Sequence, residues 1–218
     1  MRTIALYATE TMADWEYAYL TTQITVLERL RPGRFQLLLV GDGTQPVTSL
    51  GGLPLTPAHD LDALTPLAQE GSLAALVIPG GDTYTSAASA ERRPHGRLVE
   101  AVRAVVDHGV PVAAICGATY LLAHAGLLDT RAHTSNAASF LEASDYGGAE
   151  HYVDAPVVTD QGITTAAGTD PIPFTAEIMR LTGLAPAPVA DAWERLYLTG
   201  RAQHYTELLE AVDAWQNS

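Results

Sequence analysis

Two uninterrupted apolar runs, Leu73 to Ile78 and Val110 to Ile115, do most to limit what this chain can fold into. Neither alternates apolar with polar residues, so a strand built from either one buries both of its faces. Pro79, Gly80 and Gly81 stop the first run, and Gly109 precedes the second. Between them, Gly96 to His108 places Leu98, Val99, Val102, Val105 and Val106 on one side and Arg97, Glu100, Arg103 and Asp107 on the other. That is the pattern of an amphipathic helix, which Gly109 ends. Buried strands that alternate with such helices predict a mostly parallel sheet with helices on both faces.

The alternation continues in both directions. Arg2 to Ala8 reads as the first strand, and Met12 to Leu30 as a helix with Trp15, Tyr19, Ile24, Leu27 and Leu30 on its inner face. Phe35 to Val40 is another strand, and Val47 to Thr56, broken by Gly51, Gly52 and Pro54, predicts a short hairpin or irregular excursion. Ala118 to Ala125 begins a helix. Val157 to Thr159 and Ile163 to Ala166 flank the turn Asp160-Gln161-Gly162, and Pro171 opens a helix to Leu181 with Asp170 as its cap. Pro186 and Pro188 form a hinge before two helical stretches, Ala190 to Leu198 and Ala202 to Trp215. Residues 1–185 therefore read as one α/β domain, a three-layer sandwich around a mostly parallel central sheet. Residues 186–218 read as a helical extension packed on that domain or on a partner subunit.

A chain of 218 residues at 47% hydrophobic content can bury one substantial core. Its formal charge of -13 disfavours a nucleic-acid partner, since that affinity comes from clustered positive charge. Lysine is absent, which removes Schiff-base chemistry and the phosphate-loop lysine. The single cysteine excludes a disulfide scaffold. The apolar stretch at the N-terminus is too short for a secretory signal or a membrane span, so a cytoplasmic protein without membrane attachment is expected. The seven histidines are scattered and form no zinc pattern, so neither a metal nor a cofactor is expected.

Chemistry concentrates at Cys116. A thiol placed directly after a buried strand and directly before a helix meets the unpaired N–H groups of that helix, which favour thiolate over thiol. Gly117 lets the main chain take the sharp turn and lets a substrate approach. Free cysteine is also among the most buried residue types, so an inert core thiol is the alternative that the junction argues against. In parallel sheets ligands sit beyond the carboxyl ends of the strands, where Thr9 to Glu16, Pro79 to Tyr84 and Cys116 to Tyr120 all fall.

The segments VAAICGATYLLAHAGLL, ALVIPGGDTY and ADWEYAYL, in that joint arrangement, resemble the ThiJ/PfpI superfamily, relatives of the parkinsonism-associated deglycase and of class I glutamine amidotransferase domains. The resemblance runs from the first strand to about Leu181 and implies a flavodoxin-like, class I glutamine amidotransferase-like fold. It implies that Cys116 is the reactive residue and that Glu16 is its acidic partner, with the glycine pair before the nucleophile at Gly80 and Gly81. It also implies a homodimer. Physically, a carboxylate beside a thiolate raises both pKa values, so the close pair would share one proton with Glu16 as its protonated member. Without the resemblance, Glu16 reads as an ordinary acid near a helix start. The amides of Gly81 and Gly117 would hold an oxyanion, although PGG is also common turn chemistry. Trp15, Asp82, Tyr84 and Tyr120 adjoin these turns and are candidate pocket residues.

Histidine is where the chain departs from many relatives. The residue after the cysteine is Gly117, and the later histidine position falls on Asn136, with His133 three residues earlier. His133 and Asn136 are therefore further pocket candidates. His133 is a surface residue unless the chain folds back, and His124 lies too far along its helix to serve Cys116. No histidine follows in Ala166 to Pro173, which disfavours glutamine hydrolysis. The expected function is a stress-related, cysteine-dependent enzyme acting on small reactive carbonyls, of the glyoxalase or deglycase type. Two alternatives stay open: a redox sensor or chaperone-like protein whose Cys116 oxidises to sulfinate, and a cysteine hydrolase of peptidase or amidase type.

Overall fold

The computed structural model describes residues 1–85 and 95–218. Strands β1 (Arg2–Ala8), β2 (Phe35–Gly41), β5 (His59–Asp60), β6 (Leu73–Ile78), β7 (Val112–Ile115), β8 (Val157–Asp160) and β9 (Ile163–Ala166) form a seven-stranded sheet in the order β5-β2-β1-β6-β7-β9-β8. Every pairing is parallel except β8 with β9. This is the α/β three-layer architecture expected from the two apolar runs. The reason is visible in β1, where Ile4, Leu6 and Ala8 enter one core while Ala5 and Tyr7 enter the other. With both faces dry, no position on the strand can be polar at low cost.

The first core is closed by α1 (Asp14–Leu30), α6 (Pro171–Thr182) and α7 (Ala187–Thr199), the second by α2 (Leu64–Gln69), α3 (Gly96–Asp107), α4 (Gly117–His124) and α5 (Ala138–Glu142). Parallel order brings the ends of β1, β6, β7 and β9 to one edge, so the loops carrying Thr9 to Ala13, Pro79 to Tyr84, Cys116 and Ala167 to Asp170 meet there. The last helix, α8 (Ala202–Gln216), packs on α7 and sends Trp215 into the first core. The guanidinium carbons of Arg31 and Arg34 stand 5.5 and 5.1 Å from the Trp215 ring, and Arg31 also donates to its carbonyl at 3.3 Å. Arg180 of α6 ties the same face together through Glu177, Asp191 and Glu194. No helix among the described residues is long and apolar enough to cross a membrane.

Several local expectations are corrected. Helix α1 begins at Asp14, and its buried face is Glu16, Tyr17, Leu20, Gln23, Ile24 and Leu27, which turns Trp15 outward to 50% exposure. The excursion after β2 is, as expected, a short hairpin, a two-residue antiparallel ladder of β3 (Val47–Thr48) with β4 (Pro54–Leu55). Pro111 has no N–H to give a ladder, and β7 starts one residue later. Pro186 and Pro188 are the start of α7 and not a hinge, because the first turn of a helix needs no N–H donors from them. Asp170 occupies the cap position of α6, but its side chain makes no cap bond and accepts instead from Thr169 Oγ1 at 3.1 Å.

Candidate active site

Cys116 is the residue between β7 and α4 and holds φ 58°, ψ -123°, a conformation L residues avoid. Its backbone is pinned from both sides. The amide donates to Ala166 O at 3.0 Å, and the carbonyl accepts from Thr119 N at 3.0 Å and Thr119 Oγ1 at 2.6 Å. Because the Thr119 hydroxyl spends its proton on that carbonyl, the 2.6 Å contact with Ser135 Oγ is a bond donated by Ser135. The strained turn is thus over-determined by a buried hydroxyl pair.

Glu16 reaches the same place from the first turn of α1 and is fully buried. One carboxyl oxygen, Oε2, accepts from Gly80 N at 2.5 Å, while Oε1 has no partner among the described residues other than the Cys116 thiol beside it. Gly168, in the loop after β9, shows where Oε1 lies. A Cβ added to Gly168 would sit 2.8 Å from Cys116 Sγ and 3.0 Å from Glu16 Oε1, so sulfur and that oxygen border one small space. Burial pushes the Glu16 carboxyl up to about 7 against the pull of the Gly80 N–H. Burial, and then the Glu16 carboxylate, push the thiol up to about 11, while a bond from Asn136 works in the opposite direction. Burial and the neighbouring carboxyl thus oppose the helix end, whose unpaired N–H groups favour the thiolate. Burial disfavours charge on either group, so the pair shares a proton between sulfur and carboxyl.

Gly81 and Gly117 are neighbours: a Cβ on Gly117 would lie 3.3 Å from Gly81 N. Neither N–H donates to a carbonyl in a turn, loop or cap among the described residues, and the Gly117 N–H bears on the Cys116 sulfur, where it favours the charged form. Gly80 is as tightly placed, since a Cβ there would meet Cys116 Cβ and Glu16 Oε2, each at 2.8 Å. Tyr84 is buried, packs its ring on Gly117, and has no partner for its hydroxyl among the described residues. Asp82 is exposed, with its amide held by Thr11 Oγ1 at 2.8 Å.

Asn136 Nδ2 donates to Cys116 Sγ at 3.3 Å, and its Oδ1 accepts from Gly168 N at 2.8 Å. Trp15 Nε1 donates to Gly168 O at 3.0 Å. Two pocket candidates lie elsewhere and are corrected. His133 is neither on the surface nor at the thiol: it is fully buried between Tyr146 and Tyr152, with Nδ1 2.7 Å from Arg131 O and Nε2 3.1 Å from Tyr146 Oη. A carbonyl accepts only, so Nδ1 carries the proton and Nε2 takes the tyrosine's, which leaves the ring no free nitrogen. Tyr120 turns away from the sulfur to donate to Ala143 O at 2.8 Å and to stack on His124.

The sequence reading passed over Gly168, Thr119, Ser135 and His95. Gly168 has a signal, a glycine just past a strand at a sheet's carboxyl edge. His95 stacks 4.6 Å from Tyr84 and bonds Tyr7 and Thr83, each at 3.1 Å, and burial lowers its pKa. Among the described residues no three His, Cys, Asp or Glu side chains gather as a metal site.

The model of the DJ-1/PfpI family matches residues 2–181. The chain belongs to this family. Among DJ-1/PfpI relatives, the Bacillus subtilis (strain 168) protein named "Uncharacterized protease YoaZ" is 30% identical over 222 residues, covering 97% of this chain and 98% of its own. A solved thiJ/pfpI family protein from Bacillus anthracis superposes with a TM-score of 0.82 at 29% identity, covering 97% of this chain and 98% of that one. A DJ-1 superfamily protein from Agrobacterium tumefaciens gives 0.74 at 35% identity, over 92% and 99%. The DJ-1/PfpI match ends in α6, whereas the likeness to the two Bacillus proteins runs on into α7 and α8.

Proposed function

We propose that the protein is a cysteine-dependent enzyme acting on small reactive carbonyl compounds, with Cys116 as nucleophile and Glu16 as proton carrier. The observation that carries this reading is Glu16 Oε1, buried, bordering the same space as Sγ and without any other partner among the described residues. As sulfur adds to the carbonyl carbon of an α-oxoaldehyde, the thiol proton passes to Glu16 and the carbonyl π pair moves to oxygen. The Gly81 and Gly117 amides receive that oxyanion until Glu16 returns the proton, which leaves a hemithioacetal. Glu16 then removes the carbon-bound proton and delivers it to the neighbouring carbon while the hydroxyl proton passes to the neighbouring oxygen, and water cleaves the resulting thioester to a hydroxy acid and the free Cys116 thiol. No other oxidant or reductant is needed.

A second reading, thiol-dependent peptide or amide hydrolysis, is favoured by the name of the 30%-identical relative. It is the weaker of the two because the described imidazole of the Asn136 segment, His133, has both nitrogens occupied, and Asn136 itself cannot accept the thiol proton. The test is turnover of methylglyoxal, and separately of a fluorogenic peptide, by wild type, Cys116→Ala and Glu16→Gln. Methylglyoxal loss with lactate formation in wild type alone is the expected result. Peptide cleavage that depends on Cys116, without aldehyde turnover, would transfer the assignment to the second reading.

A further inference from the structure

Trp15, Gly168, Asn136 and Cys116 form one unbroken run of hydrogen bonds. The indole N–H of Trp15 holds the Gly168 carbonyl at 3.0 Å, the Gly168 N–H is held by Asn136 Oδ1 at 2.8 Å, and Asn136 Nδ2 ends on Sγ at 3.3 Å. The direction is forced. A backbone N–H can only donate, so the atom facing Gly168 N is the amide oxygen and the atom facing sulfur is the amide nitrogen. Asn136 is thereby a donor to sulfur and cannot rotate into an acceptor without losing Gly168.

We infer that Trp15 is a positioning residue: it fixes the Gly168 loop so that the Asn136 amide is presented to Cys116 as a donor. The Gly168 N–H and C=O belong to different peptide planes, so Trp15 acts by placing the loop and not by polarising a single amide. Asn136 does act as one amide. Accepting at Oδ1 strengthens the donor at Nδ2, and sulfur gains most from that donor when it carries charge. The loop needs an anchor, because Gly168 has no side chain and lies closer to the sulfur than any side chain would permit. The indole is suited to hold it, since Trp15 is half exposed and its N–H bonds this loop and nothing in the core. This inference rests on the reading of Cys116 as the working thiol but makes a claim that does not require turnover. Among the described residues, the titratable groups facing the sulfur are Glu16 from α1, which borders the same space, and Tyr84 from the turn after β6, which packs on Gly117 and is coupled to Cys116 through its charge. Both are unchanged by the substitutions below.

The single cysteine makes the test direct. With cysteine labelled at Cβ with carbon-13, one resonance reports the sulfur's protonation across a pH titration, whether or not the enzyme turns anything over. Asn136→Ala is expected to raise the thiol's proton affinity about fivefold, and Trp15→Phe, which keeps an aromatic ring and loses the N–H, about threefold. The double variant is expected to match Asn136→Ala alone, since Trp15 acts through that amide. A Trp15→Phe midpoint at the wild-type value, or effects of the two changes that multiply, would overturn the inference. Absence of aldehyde turnover with the three midpoints as expected would overturn the proposed reaction and leave the clamp standing.

Discussion

Glu16→Gln isolates the cost of burying an acid beside a thiol. The carboxyl is fully buried, and its proton affinity is raised from 4.5 to about 7. Between those two pH values the folded protein holds a proton that the unfolded chain has released. Stability from this group is therefore complete below about pH 4.5 and is lost as pH rises through about 7. At about 1.4 kcal/mol for each pH unit, the loss is about 3 kcal/mol, or roughly 6–12 °C in Tm for a chain of this length. Glutamine keeps an oxygen for the Gly80 N–H, turns its NH2 toward the sulfur, and does not ionise. Urea denaturation of both proteins from about pH 4 to pH 8 should give equal stabilities at the acid end and a variant about 3 kcal/mol more stable at the other. A difference between the two that stays constant across the range would refute the claim that Glu16 resists ionisation in the folded state.

Three further outcomes follow from the same geometry. Gly168→Ala places a methyl 2.8 Å from Sγ, and alkylation of Cys116 by iodoacetamide should slow about tenfold or more while the circular dichroism spectrum is unchanged. Thr119→Val keeps the shape but removes the hydroxyl that holds the Cys116 carbonyl and accepts from Ser135, so urea denaturation should show a loss of about 1–3 kcal/mol. Tyr120→Phe loses the bond to Ala143 O, worth about 1 kcal/mol or less, and its Cys116 should alkylate at the wild-type rate, because that hydroxyl points away from the sulfur.

The sheet was legible because its strands are buried on both faces and its helices on one. Leu73 to Ile78 and Arg2 to Ala8 appear in the structure with the boundaries read from the sequence, and the first of them ends at the explicit stop Pro79-Gly80-Gly81. The two-residue strand β5, and α2 and α5 with six and five residues, carry too little periodicity to be read, since they are short against a sheet or helical repeat. At the site, the turns carrying Cys116, Gly117 and Gly81 follow from their places at strand ends, whereas Glu16 was singled out only by the family resemblance. What the sequence could not supply were contacts made across the chain. Trp15 meets Gly168, and His133 meets Tyr146 and Tyr152, through loops whose course no local pattern encodes. The opposing pulls on the thiol have the same origin: helix-end geometry is local and favours the thiolate, while burial and a carboxyl from α1 are tertiary and oppose it.

Departures from local stability rules gather around one sulfur. Among the described residues, Thr11, His95, Cys116, Asp145 and Gln161 have positive φ without being glycine. Gln161 belongs to the tight turn between β8 and β9 and Asp145 closes the turn after α5, where such a conformation is ordinary. Thr11 instead presses its carbonyl toward Gly81, and His95 stacks on the tyrosine that packs on Gly117. Cys116 itself bears the strained turn, next to a buried carboxyl with one oxygen unpartnered but for that thiol among the described residues, and a glycine that no other residue could replace without contact. Each feature costs stability and none improves packing elsewhere. A core selected for stability alone would remove them one at a time, because a glycine at 116 or a leucine at 16 would relieve its share without the others. Their coincidence at the carboxyl edge of the sheet is what a site held for chemistry requires.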